Sequence, residues 1–194
     1  RVFLVRSSMG AWISIHLALQ FNTRTFKING NKQRNLPISG ILSIAAAPDF
    51  LQDLCSSSTA QERAEWEKSG LIHRSSRYGD PYPISYGLIK DAAQNWGILP
   101  STKAIMSLEL SAPVPTVEKH LSLGCPVQLL HGKRDKDVSW KKSEELARLL
   151  EGSENTAQES RLSLIDDGDH RLSRPQDIKL ILDTLDNMVT NLNR

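Results

Sequence analysis

The chain is poor in the features that most often betray a function. It has two cysteines in 194 residues, Cys55 and Cys125, far apart and in unlike contexts. Neither sits in a C-x-x-C pair, which argues against a metal knuckle or a dithiol redox motif. Two free thiols are the expectation, and they suit a reducing compartment. The formal net charge is only +2, with no basic stripe, so nucleic-acid binding has no electrostatic footprint. The longest apolar runs, such as Ile41 to Pro48, are far too short to span a bilayer. Residue 1 is Arg and the chain opens inside a strand pattern, so any targeting segment would lie upstream. There is no internal repeat and no low-complexity tract. What remains is an ordinary globular composition, 39% hydrophobic and 24% charged, long enough for one domain with a real core.

Apolar runs alternate with amphipathic stretches. Residues 1–5, 38–47, 126–131 and 161–165 read as strands. Residues 11–21, 140–150 and a long C-terminal stretch read as helices. The first helix is expected to turn Ile13 and Leu17 inward, with Trp12 and Phe21 beside them. Asn22 to Pro37 reads as a polar loop with an Asn29-Gly30 turn. The last helix is expected to take Ser173 as N-cap with Pro175 in its first turn. Its core stripe would be Ile178, Ile181, Leu182, Leu185, Met188 and Leu192. Between residues 49 and 96 no strand pattern is evident. Thr59-Ala60-Gln61-Glu62 reads as a capping box, Tyr78 to Pro83 as a turn-rich link, and Ile84 to Trp96 as a helix. This stretch is expected to be a helical insert. The alternation as a whole predicts an α/β fold with a mostly parallel sheet flanked by helices.

Ser8 follows the first strand, with Met9-Gly10 and a helix directly behind it. Strand, tight turn with serine, then helix is the order of a nucleophile elbow, in which the helix N-terminus favours developing negative charge. A serine hydroxyl needs a histidine base and a carboxylate to orient that base. The carboxylate candidate is Asp135, in His131-Gly132-Lys133-Arg134-Asp135-Lys136-Asp137-Val138 after the third strand, with Asp137 as its alternative. The alternative to either is a solvated charged turn. The base candidate is His170, in Gly168-Asp169-His170-Arg171 after the fourth strand. The order serine, acid, histidine is that of the α/β-hydrolase arrangement. The Met9 N–H would supply half of an oxyanion hole. The other half should come from a loop after an earlier strand, outside this chain, and losing one donor costs on the order of 100- to 1000-fold in kcat. His16 is expected to be a packed or half-exposed side chain on the helix behind the elbow, and His131 to pack structurally at its strand end. His73 and His120 have no partner pattern. Ser7 reads as a turn residue and Trp140 as a wall.

On these residues the chain resembles α/β-hydrolases of the mitochondrial palmitoyl-protein thioesterase type, the abhydrolase domain-containing group, and their bacterial relatives. The matching pieces are Ser7-Ser8-Met9-Gly10, Ile44-Ala45-Ala46-Ala47-Pro48-Asp49-Phe50, Tyr86-Gly87-Leu88-Ile89-Lys90-Asp91-Ala92, Val127-Gln128-Leu129-Leu130-His131-Gly132 and Gly168-Asp169-His170-Arg171. The resemblance implies residues 1–194 of a single α/β-hydrolase domain lacking its N-terminal strands. Residues 49–96 would form a cap that shapes an acyl pocket. It implies a serine hydrolase of acyl esters or thioesters, including S-palmitoyl groups on proteins. Ser8, Asp135 and His170 would be the triad, with no metal or organic cofactor, in a mitochondrial or cytoplasmic setting. One departure stands out: the family has glycine two residues before the serine, and this chain has Arg6, which must reach water or an acidic partner. Without earlier strands, the first strand would also be an exposed apolar edge. The alternatives are a peptidase of the prolyl-oligopeptidase kind, with the same elbow and triad order, and a hydrolase-fold domain that has lost turnover.

Overall fold

The computed structural model describes residues 1–23, 26–28, 31–33, 38–75, 79–101, 120–151 and 160–191. Expectations that fall on Asn29, Gly30, Tyr78 and Leu192 lie outside these residues. The chain divides into two compact units, one formed by 1–48 with 118–194 and the other by 49–117.

The first unit is built on four strands: β1 (Val2–Ser7), β4 (Ile38–Ile44), β7 (Val127–Gly132) and β8 (Arg161–Ile165). They lie in the order β1-β4-β7-β8, every neighbouring pair parallel. Ser7, Ile44, Leu130 and Ser163 share one row across the sheet. β7 and most of β4 are buried, and their sequences are near-continuous apolar runs, as a parallel sheet covered on both faces requires. Among the described residues β1 is an edge of this sheet. Among the described residues three helices complete the unit: α1 (Met9–Thr23), α5 (Lys141–Glu151) and α6 (Pro175–Asn191).

Side chains alternate across the sheet with a period of two. Leu42 and Leu130 point to one face and form a core with Leu172 and Met188. Phe3, Val5, Ile44, Ile165, Ile181 and Leu185 pack against it. His131 points to the other face, toward Ser143 of α5. Cys55 and Cys125 are both free and buried. Burial pushes the Cys125 thiol up to about 11, which leaves it unreactive at neutral pH.

Several expectations need correction. α1 turns Ala11, Trp12, Ile15 and Ala18 inward, whereas Ile13, Leu17 and Phe21 are exposed. The helix is apolar nearly all round, so periodicity alone did not identify its buried face. The polar loop holds a short antiparallel pair, β2 (Phe26–Ile28) with β3 (Asn31–Gln33). Arg174, not Ser173, occupies the cap position before α6. Its carbonyl accepts the Ile178 N–H at 2.9 Å, and its N–H reaches Asp177 Oδ2 at 3.2 Å. In α6, Ile181, Leu185 and Met188 face the core as expected, but Ile178 and Leu182 are exposed.

The second unit is not purely helical. It contains α2 (Phe50–Ser56), α3 (Ala60–Ser69), β5 (Leu71–Arg74), β6 (Tyr82–Ser85) and α4 (Tyr86–Asn95). β5 and β6 form an antiparallel hairpin with His73 opposite Pro83. Two four-residue strands, one interrupted by proline, leave almost no alternation to read. The capping box is present: Thr59 Oγ1 accepts the Glu62 N–H, and Glu62 Oε2 accepts the Thr59 N–H at 2.7 Å. Buried Asp49, at φ 59°, accepts the N–H groups of Ile98 and Leu99.

Candidate active site

Because the four strands are parallel, their carboxyl ends share one edge, and the three predicted residues all follow strands at that edge. Ser8 comes directly after β1, Asp135 three residues after β7, and His170 five residues after β8.

Ser8 stands at φ 52°, a left-handed backbone that non-glycine residues rarely adopt. Such a kink turns the chain from strand to helix within one residue, and it stores strain at Ser8. The backbone around it is fully engaged. The Ser8 N–H donates to the Ile44 carbonyl at 2.9 Å. The Ser8 carbonyl accepts from Ala11 N–H at 3.1 Å and Ala47 N–H at 3.2 Å. Met9 is the first residue of α1, so its N–H is one of the donors that a helix leaves without an internal partner. Arg6 is exposed and exits to water. A Cβ built on Gly10 would lie 3.5 Å from Arg6 Cβ and Cδ, ordinary contact, so strand and helix accommodate the arginine without a clash.

Asp135 and His170 are brought together directly. The carboxyl of Asp135 is buried, the His170 imidazole is 16% exposed, and Nδ1 lies 2.7 Å from Oδ2. The other carboxylate oxygen, Oδ1, accepts the N–H groups of Asp137 at 2.8 Å and Val138 at 2.9 Å. Asp137 is therefore not the residue that binds the imidazole; it contributes a backbone donor. Burial by itself would raise the Asp135 carboxyl. Hydrogen bonds from His131, His170, Val138 and Asp137 outweigh it and hold the group well below the carboxylate range. The bond to Asp135 raises His170 above the ordinary imidazole value against the opposing effect of burial, and the charges of Asp135, Asp137 and Asp169 add to it.

Two glycines let the acid loop and the histidine loop touch. A Cβ on Gly132 would lie 2.6 Å from the Asp169 carbonyl oxygen and closer still to Gly168 C and O. Lys133 N–H donates to Ile165 O at 2.8 Å and Arg134 N–H to Gly168 O at 2.9 Å, which stitches the loops together. Beyond His170, Leu172 plugs into the core at φ 45°, its N–H held by Asp169 Oδ1 at 2.9 Å. Arg174 closes the loop, bonding Asp167 and Asp177 with its guanidinium.

Asp135, Asp137 and His170 bring ligand-type atoms within 4.8 Å of one another. Each Asp135 oxygen already faces two nitrogen donors, so the cluster is arranged for hydrogen bonding rather than for a cation.

Of the other histidines, His16 packs edge-on to Trp12 with ring centroids 5.2 Å apart. His131 does more than fill a strand end. It is fully buried, with Nδ1 2.6 Å from Ser143 Oγ and Nε2 3.0 Å from Asp135 Oδ2. The sequence signal was the four-residue spacing of His131 and Asp135 around a strand end.

Four parallel strands, a serine elbow after one of them and an acid–histidine pair after two others define the α/β-hydrolase fold. Comparison with known proteins agrees. The chain is similar to mitochondrial palmitoyl-protein thioesterase ABHD10. It is 27% identical to the mouse protein over 192 residues, covering 98% of this chain and 52% of that one. Against the human protein the identity is 25% over 193 residues, covering 98% and 51%. Among solved structures, one assigned as a hydrolase from Agrobacterium vitis S4 superposes with a TM-score of 0.69 at 31% identity, covering 96% of this chain and 60% of that one. Mouse alpha/beta hydrolase domain-containing protein 10 gives a TM-score of 0.63 at 26% identity, covering 98% and 62%. No family model matches. The chain spans about half the length of the curated relatives it matches. No helix among the described residues is long and apolar enough to cross a membrane.

Proposed function

We propose that this chain carries the catalytic residues of a serine hydrolase acting on acyl esters or thioesters, with acylated proteins among its substrates. The observation that carries the reading is the combination of a strained serine at φ 52° and a hydrogen-bonded His170–Asp135 pair, all following strands at one sheet edge. In this reading Ser8 Oγ attacks the acyl carbon while His170 Nε2 takes its proton. Asp135 holds the Nδ1–H and steadies the imidazolium that forms. The Met9 N–H donates to the oxyanion. His170 then protonates the departing thiol or alcohol, and water clears the acyl-enzyme by the reverse sequence. The thioester preference rests on the likeness to ABHD10, whose name states palmitoyl-protein thioesterase. From the resemblance alone, residues 49–96, within the 49–117 unit, are the proposed cap insert.

A fluorophosphonate probe tests the reading. Labelling is expected at Ser8 and lost in Ser8→Ala. Labelling that survives the substitution, or none in the intact protein, refutes it. An acyl thioester and a peptide assayed side by side separate thioesterase from peptidase.

A further inference from the structure

We propose that His131 is a positioning residue for the acid–histidine pair, locked by Ser143 so that it presents an N–H to Asp135. The inference rests on the reading of Asp135 and His170 as acid and base.

The argument is one of donors and acceptors. His131 Nε2 faces two oxygens, Asp135 Oδ2 at 3.0 Å and the Val138 carbonyl at 3.2 Å. A carboxylate and a carbonyl only accept, so Nε2 carries the hydrogen. Nδ1 then offers its lone pair to Ser143 Oγ, 2.6 Å away, and the hydroxyl donates. His131 and Ser143 are both fully buried, so neither bond competes with water. A single oxygen, Oδ2, thus receives two imidazole N–H groups, His131 at 3.0 Å and His170 at 2.7 Å.

The placement explains what the arrangement does. Asp135 and His170 sit on loops, whereas His131 is on β7 and Ser143 on α5. The scaffold therefore reaches the acid through His131 and fixes the rotation of its carboxylate. The same N–H draws part of the negative charge away from His170. The charged groups acting on His170 are Asp135 and Asp137 of the acid loop and Asp169 of its own loop. Without the His131 donor, Asp135 would be the stronger acceptor for His170, and the base would hold its proton to higher pH.

The test is imidazole NMR on the 194-residue chain with 15N-labelled histidine. In the unsubstituted chain the 15N shifts should place the His131 hydrogen on Nε2; a hydrogen on Nδ1 overturns the proposal. In His131→Leu the titration midpoint of His170 should move up by roughly 0.5 in pH, because one donor to the acid is gone. His131→Gln carries an N–H at nearly the same place and should hold the midpoint near the original. An unmoved midpoint in folded His131→Leu, or an equal rise in the glutamine variant, overturns it. Should the leucine variant not fold, Ser143→Ala leaves the ring in place. The His131 hydrogen should then no longer stay confined to Nε2, and an unchanged tautomer together with an unchanged His170 midpoint counts against the lock. Fluorophosphonate labelling separates the two readings. A chain whose Ser8 takes no probe while His131 and His170 remain coupled loses the catalytic reading, not the coupling.

Discussion

Replacing Gly132 by alanine tests whether contact between two loops holds Asp135 and His170 in register. The added methyl would lie 2.6 Å from the Asp169 carbonyl oxygen, where ordinary contact begins at 3.4 Å, and the Gly168 backbone is nearer still. All three clashing atoms are main chain, so no side chain can rotate away. Either the structure absorbs the clash or the histidine loop retreats by about 1 Å. The first outcome costs about 3 kcal/mol, the upper range for overpacking. With a urea slope of about 2 kcal/mol/M, the unfolding midpoint falls by about 1.5 M. The second outcome stretches the 2.7 Å His170–Asp135 bond beyond hydrogen-bond range. A misplacement of this size costs about 100-fold in rate. Urea unfolding followed by circular dichroism reads the first, and the rate of fluorophosphonate labelling at Ser8 reads the second. A Gly132→Ala chain with both values unchanged would refute the idea that loop contact sets the pair.

Four further outcomes follow from the geometry. Ser8→Gly should melt a few degrees above Ser8→Ala, because glycine occupies φ 52° at little cost and alanine retains the strain of about 1 kcal/mol; equal melting temperatures would remove the strain from the elbow. Leu172→Ala should cost about 3 kcal/mol by emptying a buried leucine site and should slow labelling at Ser8; calorimetry that shows no loss would mean Leu172 does not anchor the histidine loop. Hydrolysis should rise with pH through a midpoint above the ordinary imidazole value, since His170 must be neutral to act as base. Asp135→Asn should lower that midpoint and cut kcat about 10,000-fold, and a pH profile that does not move would uncouple the two residues. The same pair gives a stability window. His170, raised on folding, contributes below its unfolded value and loses that contribution as pH rises through its folded value. Asp135, lowered on folding, contributes above its unfolded value and loses it as pH falls through its folded value.

Most of the sheet was legible because β4 and β7 are apolar runs with clear boundaries, and because Ser8, Asp135 and His170 each follow a strand. The buried face of α1 was not, since Ile13 and Leu17 are as apolar as Ile15 and only the fold decides among them. The β5–β6 hairpin was hidden by Pro83 and by strands too short to show a period. His131 reads as packing in the sequence because its link to Asp135 shows only as a four-residue spacing and its other partner leaves no local mark. Its function depends on Ser143, twelve residues further on and on a different element.

The hydrogen bonds of the serine turn run inward, to Ile44 and Ala47 at the end of β4, rather than to the outer side of β1. The Ser8 backbone is thus moored to the end of β4, the parallel neighbour of β1. A shift of β4 along its own axis would therefore carry the serine turn with it, through the carbonyl of Ile44 and the N–H of Ala47.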